Sequence, residues 1–350
     1  MTKLNIAYVV DWQGKKSGSV ATKILDQITV WQKLGHTVEL VYIGKRSSEI
    51  QGININSRPF FYHTKLERVL ARWKANSYLK ENKNIDLIYR RYGLFLPFEI
   101  FLMRRPHILE LNTNNNFFYR KRGLLPWIWH ILQVKPVGHL SLGACAVTPE
   151  IADQNKQIFN KIAVFTNGIE IKNRRQRAPR KSKRDRFVFL AGGDFSWNGY
   201  AKLELLASQT QDADFYLVGE SKYKAFAANL HILGYLSDKK LEEFLIESTF
   251  GLSTLSLENT GLTEAAPLKN RTYLIHGLPI IGTSPDSGFE VNSDFFFILK
   301  FNESGNISNL QEFEAFRNIW RTQKISMKQI SQIDVNLVEL KRLEFIQSLV

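Results

Sequence analysis

The stretch Glu264-Ala-Ala-Pro-Leu-Lys-Asn-Arg-Thr-Tyr-Leu-Ile-His-Gly-Leu-Pro-Ile-Ile-Gly282 decides how the chain is read. Its order is loop, short helix, buried strand. Pro267 suits the first helical position, where its fixed φ helps and its missing N–H is not needed. Leu268, Leu274 and Ile275 give the helix an apolar side, Gly277 closes it and Pro279 prevents a restart. Just before it, Phe250-Gly-Leu-Ser-Thr-Leu255 reads as a strand. The helix N-terminus then lies at the mouth of a sheet, a favourable place for a phosphate. Glu264 and Lys269 add an acceptor and a cation. An ordinary strand–helix–strand unit without a ligand would also fit these residues alone.

Working outward, the same alternation recurs. Leu4–Val10 reads as a buried first strand, followed by a loop with Gly14 and Gly18. A helix over 20–34 carries Val20, Ile24, Ile28 and Trp31 on one face, Gly35 ends it, and Thr37–Ile43 is the next strand. That is a unit of the doubly wound type. Gly14 and Gly18 do not make the dinucleotide fingerprint. Ile85–Tyr89 is a strand ending at Arg90 and Arg91, and His107–Leu111, containing Glu110, is a strand ending at Asn112. Polar residues past strand ends are where open α/β sheets bind ligands. Each Arg could face an anionic donor or acceptor, or be an ordinary surface cation.

In the second half, Phe187–Ala191 is a strand followed by Gly192-Gly-Asp-Phe-Ser-Trp-Asn-Gly199, and Asp214–Gly219 is the next strand. Leu230–Leu236, a helix near 238–248, a strand at Phe295–Leu299 and two terminal helices complete it. Phosphate-loop, nucleophile-elbow and His-Glu-x-x-His patterns are absent. Asp212-Ala-Asp214 reads as a polar turn rather than a metal pair.

With these pieces in place, the chain resembles the GT-B glycosyltransferases related to the large retaining family 4. Glu264 matches the first Glu of that family's Glu-x7-Glu motif, Pro267-Leu-Lys269 matches a polysaccharide-synthesis variant, and Gly277-Leu-Pro279 matches its end. The resemblance implies an α/β fold of two doubly wound Rossmann-like domains facing each other across a cleft. It implies an acceptor-side domain over 1–168, a basic linker over 169–186 and a nucleotide-sugar domain over 187–330. A terminal helix over 331–350 would cross back to the first domain.

It also implies roles. Glu264 would hold donor-sugar hydroxyls, and Lys269 would help the nucleoside diphosphate leave. Gly18, Gly192, Gly193, Asn198, Ala265, Ala266, Leu268 and Thr272 would line the donor, with backbone N–H groups of Ala265 and Ala266 turned to it. Arg90, Arg91, Glu110 and Asn112 would serve the acceptor side. No metal or other cofactor is implied, since the nucleotide-sugar is a substrate. The acceptor would be a glycan or a lipid-linked hydroxyl, in cell-surface polysaccharide or glycolipid synthesis, with retention implied by resemblance only. The sequence departs from the family at three donor groups: the usual Arg falls at Gly193, the Lys at Asn198 and the second Glu at Thr272. Lys269, Arg271 and the helix N-terminus could substitute in part. A second reading follows from those departures: a degraded enzyme acting as a partner-binding or glycan-binding subunit.

Composition limits the alternatives. The 350 residues, with 44% hydrophobic content and 24 Phe, suffice for two sizeable cores. The single Cys145 excludes a disulfide framework and fits a reducing, cytoplasmic setting. No secretory signal or spanning helix is legible. Of the net charge of +14, the run from Lys172 to Arg186 supplies +8 with nine cations and one acid. Such a run is either a solvated linker or drawn to anionic lipid or nucleic acid. No nucleic-acid partner is expected, because no recognition motif accompanies it. Phe117–Leu132, where cations adjoin Trp and Leu, reads as a segment at a membrane interface or as a helix packed on a core. The first reading would give peripheral contact with an anionic membrane.

Overall fold

The computed structural model describes residues 2–12, 19–48, 55–102, 104–171, 177, 184–219, 221–290 and 293–350. The chain forms two compact units, one of residues 1–168 with 335–350 and one of residues 169–334.

The first unit contains β1 (Asn5–Trp12), α1 (Ser19–Lys33), β2 (Thr37–Gly44), β3 (Asn56–Phe61), α2 (Lys65–Glu81), β4 (Leu87–Arg91) and α3 (Pro97–Leu102). It continues with β5 (His107–Leu111), α4 (Asn115–Arg122), α5 (Leu124–Leu140), β6 (Gly143–Ala146), α6 (Pro149–Asn155) and β7 (Ile162–Val164). Its sheet runs β3-β2-β1-β4-β5-β6-β7, all parallel. Parallel sheets are covered on both faces, and β1 shows why its sequence is an unbroken apolar run. Ile6, Tyr8 and Val10 enter a core with Ile24, Ile28 and Trp31 of α1, while Ala7 and Val9 enter another with Ala71, Ala75 and Leu79 of α2. Edge strand β3 tolerates Pro59, which cannot donate to a ladder.

The second unit contains β8 (Asp185–Ala191), α7 (Tyr200–Gln209), β9 (Ala213–Gly219), β10 (Leu230–Gly234), α8 (Asp238–Ile246) and β11 (Phe250–Leu252). It closes with α9 (Leu268–Ile275), β12 (Ile280–Gly282), β13 (Phe296–Ile298) and α10 (Leu310–Trp320). The order is β10-β9-β8-β11-β12-β13, again parallel. Across its middle, the Phe187 ring stacks on Phe215 at 4.6 Å and on Phe250 at 5.0 Å. The strand register puts those rings side by side. Offset aromatic stacking of this kind adds about 0.5–1.5 kcal/mol per pair beyond area burial.

The last helix, α11 (Val335–Gln347), belongs to the first unit, where Val338, Leu343 and Ile346 join the core beside α1. Two of its charged residues, Glu339 and Arg342, are also buried. Glu339 accepts from Trp31 Nε1 at 2.9 Å, and Arg342 donates to Tyr89 Oη at 2.9 Å and to Glu339 at 2.9 Å.

Several boundaries differ from the sequence expectation. Asp185 and Arg186, expected in the linker, are the first residues of β8, and the buried Asp185 pairs with Arg317 and Arg321 at 2.8 Å. Arg177, inside the basic run, is buried and donates to backbone carbonyls of Gly277 at 3.0 Å and Trp320 at 2.5 Å. One of the nine cations is therefore a packing element. The segment Phe117–Leu132 is not one helix: Gly123, at φ 124°, separates α4 from α5.

Candidate functional site

Open parallel sheets bind ligands where the strand order reverses, at the C-terminal ends of the strands. In the second unit that point lies between β8 and β11. These strands pair only at Phe187–Phe250 and Val188–Gly251. Beyond that register their backbones part, and Tyr273 of α9 fills the gap. Its hydroxyl accepts from the Leu190 N–H at 2.8 Å and donates to the Leu252 carbonyl at 3.1 Å. A fully buried ring thereby ties α9 to both central strands. Gly277, at φ 76°, ends the helix as the sequence predicts, because an L side chain is disfavoured in that region.

One turn before Tyr273 stands Lys269. Its Nζ is buried 3.7 Å from the Phe189 ring centroid and has no hydrogen-bond partner, although the stem is partly exposed. Burial pushes the ammonium down to about 7. Thr254 Oγ1, just after β11, and Asn270 Oδ1, next to Lys269 in sequence, are also buried and unpartnered. No side chain caps the N-terminus of α9. Pro267 is the cap residue with ψ 135°, not the first helical residue, so the helix starts at Leu268. An anion here would meet a helix N-terminus and a cation without other partners.

The loop after β8 faces the same edge of the sheet. Gly192 has open space where a Cβ would stand, and Gly193 sits at φ 148°. Asn198 is buried and points inward: its Nδ2 donates to the Gly193 carbonyl at 2.7 Å, a bond shared with Tyr200 Oη at 3.2 Å. It holds the loop's shape, so its amide is not turned to a donor. The loop also lines an open depression of about 420 Å³ with Asp194, Phe195, Ser196, Tyr200 and Tyr223. That size lies within the range of small-molecule sites.

Other expected donor residues are used differently. The Ala265 N–H donates to the Pro285 carbonyl at 3.2 Å, so it is not turned to a sugar or phosphate. Ala266 is buried, and Glu264 and Leu268 are half-buried beside it. Thr272 Oγ1 bonds back to the Leu268 carbonyl at 3.3 Å. Arg271 cannot replace a missing cation, because Asp286 holds it in a buried two-point pair at 2.7 and 2.9 Å. The Asp286 carboxylate also accepts from Asn270 and from the Gly288 N–H. Gly18 lies outside the described residues.

In the first unit the order reverses between β1 and β4. Arg90 and Arg91, expected past the strand end, lie within β4. Arg90 is buried against Glu99, which also takes Arg72. Burial alone would raise the Glu99 carboxyl, but Arg90 and Arg72 hold it below the usual range. Arg91 is half-buried, with Nε 3.7 Å from Glu110. Glu110 is a buried hub: Lys23 Nζ lies at 2.7 Å and Arg342 at 3.8 Å. Burial opposes its charge, yet Lys23, Arg91 and Arg342 pull the carboxyl down to about 2. Asn112 accepts from Lys23 at 3.2 Å. Arg91, Glu110 and Asn112 come together around Lys23, whereas Arg90 is held apart by Glu99, and Glu110 and Arg90 both face protein partners. Sequence reasoning missed Asp11, the next-to-last residue of β1, which receives Arg68 at 2.7 Å and keeps Oδ1 buried without a partner. The signal was present: an acid closing an apolar run at a central strand's C-terminal end. Among the described residues, no group of three or more His, Cys, Asp or Glu could hold a metal ion.

No family model matches the chain, and no curated protein matches it in sequence. In structure it is similar to Anabaena HepE in complex with UDP and glucose, with a TM-score of 0.68 at 12% identity over 99% of this chain and 100% of that one. It is similar to the lipopolysaccharide outer core galactosyltransferase WaaB, at 0.64 and 13% over 99% and 100%. WaaG, a glycosyltransferase involved in lipopolysaccharide biosynthesis, matches at 0.63 and 14% over 97% and 99%. The fold is that of the GT-B glycosyltransferases.

Proposed function

We propose that the protein transfers a sugar from a nucleotide-sugar donor to an acceptor hydroxyl. The observation that carries this reading is Lys269, a buried cation without a partner at the uncapped N-terminus of α9, where the strand order reverses. A leaving nucleoside diphosphate gains negative charge as the sugar bond breaks, and pre-placed positive groups stabilise that charge most in a site with little water. Lys269 would take up a proton as the diphosphate enters, since the ammonium then gains the counter-charge it lacks. The first N–H groups of α9 would face the same phosphates, and Glu264 would hold sugar hydroxyls. HepE in complex with UDP-glucose shares the fold, which supports a nucleotide-sugar as the donor class. The acceptor is a glycan or lipid-linked hydroxyl, and the buried thiol of Cys145 fits a cytoplasmic setting. Retaining hexosyl transfer follows from the family resemblance.

A second reading, a glycan-binding or partner-binding subunit without turnover, is favoured by Arg271, Thr272 and Asn198, whose side chains are consumed internally. Calorimetric titration with UDP, GDP, CDP and ADP separates the two. One diphosphate should bind at micromolar level and weaken about 10- to 100-fold in Lys269→Ala, the range for a hydrogen bond to a charged group. Failure of all four to bind would put the second reading first.

A further inference from the structure

Helix α5 buries the polar His130 and Gln133 and leaves large aliphatic residues exposed. The buried side carries His130, Gln133, Val134, Val137 and Gly138. His130 Nδ1 meets Tyr92 Oη at 3.1 Å, and Gln133 Oε1 accepts from the Phe95 N–H at 2.9 Å. Trp129 Nε1 donates to the Phe95 carbonyl at 2.8 Å, which fixes the helix's rotation. The opposite side presents Leu124, Leu125, Ile128, Ile131 and Leu132, with Leu124 66% and Leu125 79% exposed. At helical spacing these five span a stripe of roughly 120°. A surface helix in water shows the reverse arrangement. A contiguous apolar stripe of this kind marks a contact surface.

Charge says which contact. From Leu111 to Pro149 the sequence has no Asp or Glu, but it has Arg120, Lys121, Arg122 and Lys135. The first three are exposed at the end of α4, directly before the stripe, and Lys135 is exposed near its far end. Lys121 lies over the Phe117 ring at 4.7 Å and Arg122 over the Phe118 ring at 5.1 Å. Trp127 Nε1 bonds Asn116 Oδ1 at 2.8 Å and joins the two helices. A second copy docked on this face would set cations against cations with no acid in the segment to pair them. An anionic lipid surface supplies both an apolar layer and a sheet of negative charge.

We propose that α4 and α5 dock on the surface of an anionic bilayer, with the aliphatic stripe among the acyl chains and the α4 cations at the phosphates. The helix lies along the surface; no helix among the described residues is long and apolar enough to cross a membrane. The docking surface stands without the donor site. It rests on the transferase reading only for its consequence, that the acceptor hydroxyl is lipid-borne.

Co-sedimentation with vesicles of phosphatidylcholine, with and without phosphatidylglycerol, tests it. The protein should sediment with the anionic vesicles and partition at least tenfold less onto the zwitterionic ones. Leu125→Glu with Leu132→Glu should abolish sedimentation with both. Replacing Arg120, Lys121 and Arg122 by Ser should remove the preference for anionic vesicles, since each cation near such a surface raises partition about fivefold. Circular dichroism and urea unfolding of the same variants report folding, and nucleoside diphosphate titration reports the donor site separately. Absence of binding to anionic vesicles, or wild-type binding by the Glu variant, overturns the proposal. So does a concentration-dependent dimer that the Glu variant dissolves, which would assign the face to a second copy.

Discussion

Replacing Lys269 by Met should stabilise the protein while removing its diphosphate binding. The Nζ is buried against Phe189 with no partner, so the folded state holds the charged form at a cost. Lowering a lysine from 10.5 to about 7 corresponds to about 5 kcal/mol at 1.36 kcal/mol per pH unit. Water along the partly exposed stem, and the attraction to the Phe189 ring, reduce the expected gain to about 2–4 kcal/mol at pH 7. Met keeps the stem's volume, so no cavity offsets it. The sign with pH is fixed. Below about 7 both folded and unfolded chains carry the proton, and the penalty is complete. Between about 7 and 10.5 only the unfolded chain does, so wild-type stability rises by up to about 1.4 kcal/mol per pH unit relative to the Lys269→Met variant. Above 10.5 both are neutral and the difference vanishes. Urea unfolding of the wild type and Lys269→Met at about pH 6, 7 and 9 (from below that window to well inside it) reads this directly, with calorimetry for the diphosphate. A variant less stable than wild type at pH 7, or a difference that ignores pH, would refute the reasoning.

Two further outcomes concern the scaffold. Arg342→Ala leaves Glu339 and Glu110 buried with less compensation and should cost about 3–5 kcal/mol in urea unfolding, partly restored by Lys; a loss below about 1 kcal/mol would remove Arg342 as the tether. Tyr273→Phe strips the partner from the Leu190 N–H and the Leu252 carbonyl and should cost about 1–3 kcal/mol. Hydrogen exchange at Leu190 should quicken, and unchanged protection there would show that water replaces the hydroxyl.

What the sequence revealed was local. Apolar runs bounded by glycine marked the central strands, and Gly277 with Pro279 marked the end of α9, because these signals act within a few residues. Helix α9, which carries Lys269, is legible for that reason. What the sequence hid was distant pairing. Nothing near Arg271 announces Asp286, fifteen residues on, so a cation that looked available turned out to be spoken for. Glu110, near the end of a strand, reads as an acceptor-side group, yet Arg342, far along the chain, helps fix its charge. The apolar run stops at Tyr89, so the sequence alone puts Arg90 and Arg91 past β4. The strand runs on because Glu99 neutralises the buried Arg90. Pro267 was misplaced by one position, since its extended ψ makes it the cap.

The first unit is discontinuous, and that orders its completion. A ribosome delivers Leu4 to Gly168 early, but that core still lacks Val338, Leu343 and Ile346, and Trp31 lacks the carboxylate of Glu339. The second unit is one unbroken segment, so all of its residues exist before the first unit's last helix has been made. Of the two units, the one whose strands are made first is therefore the one completed second.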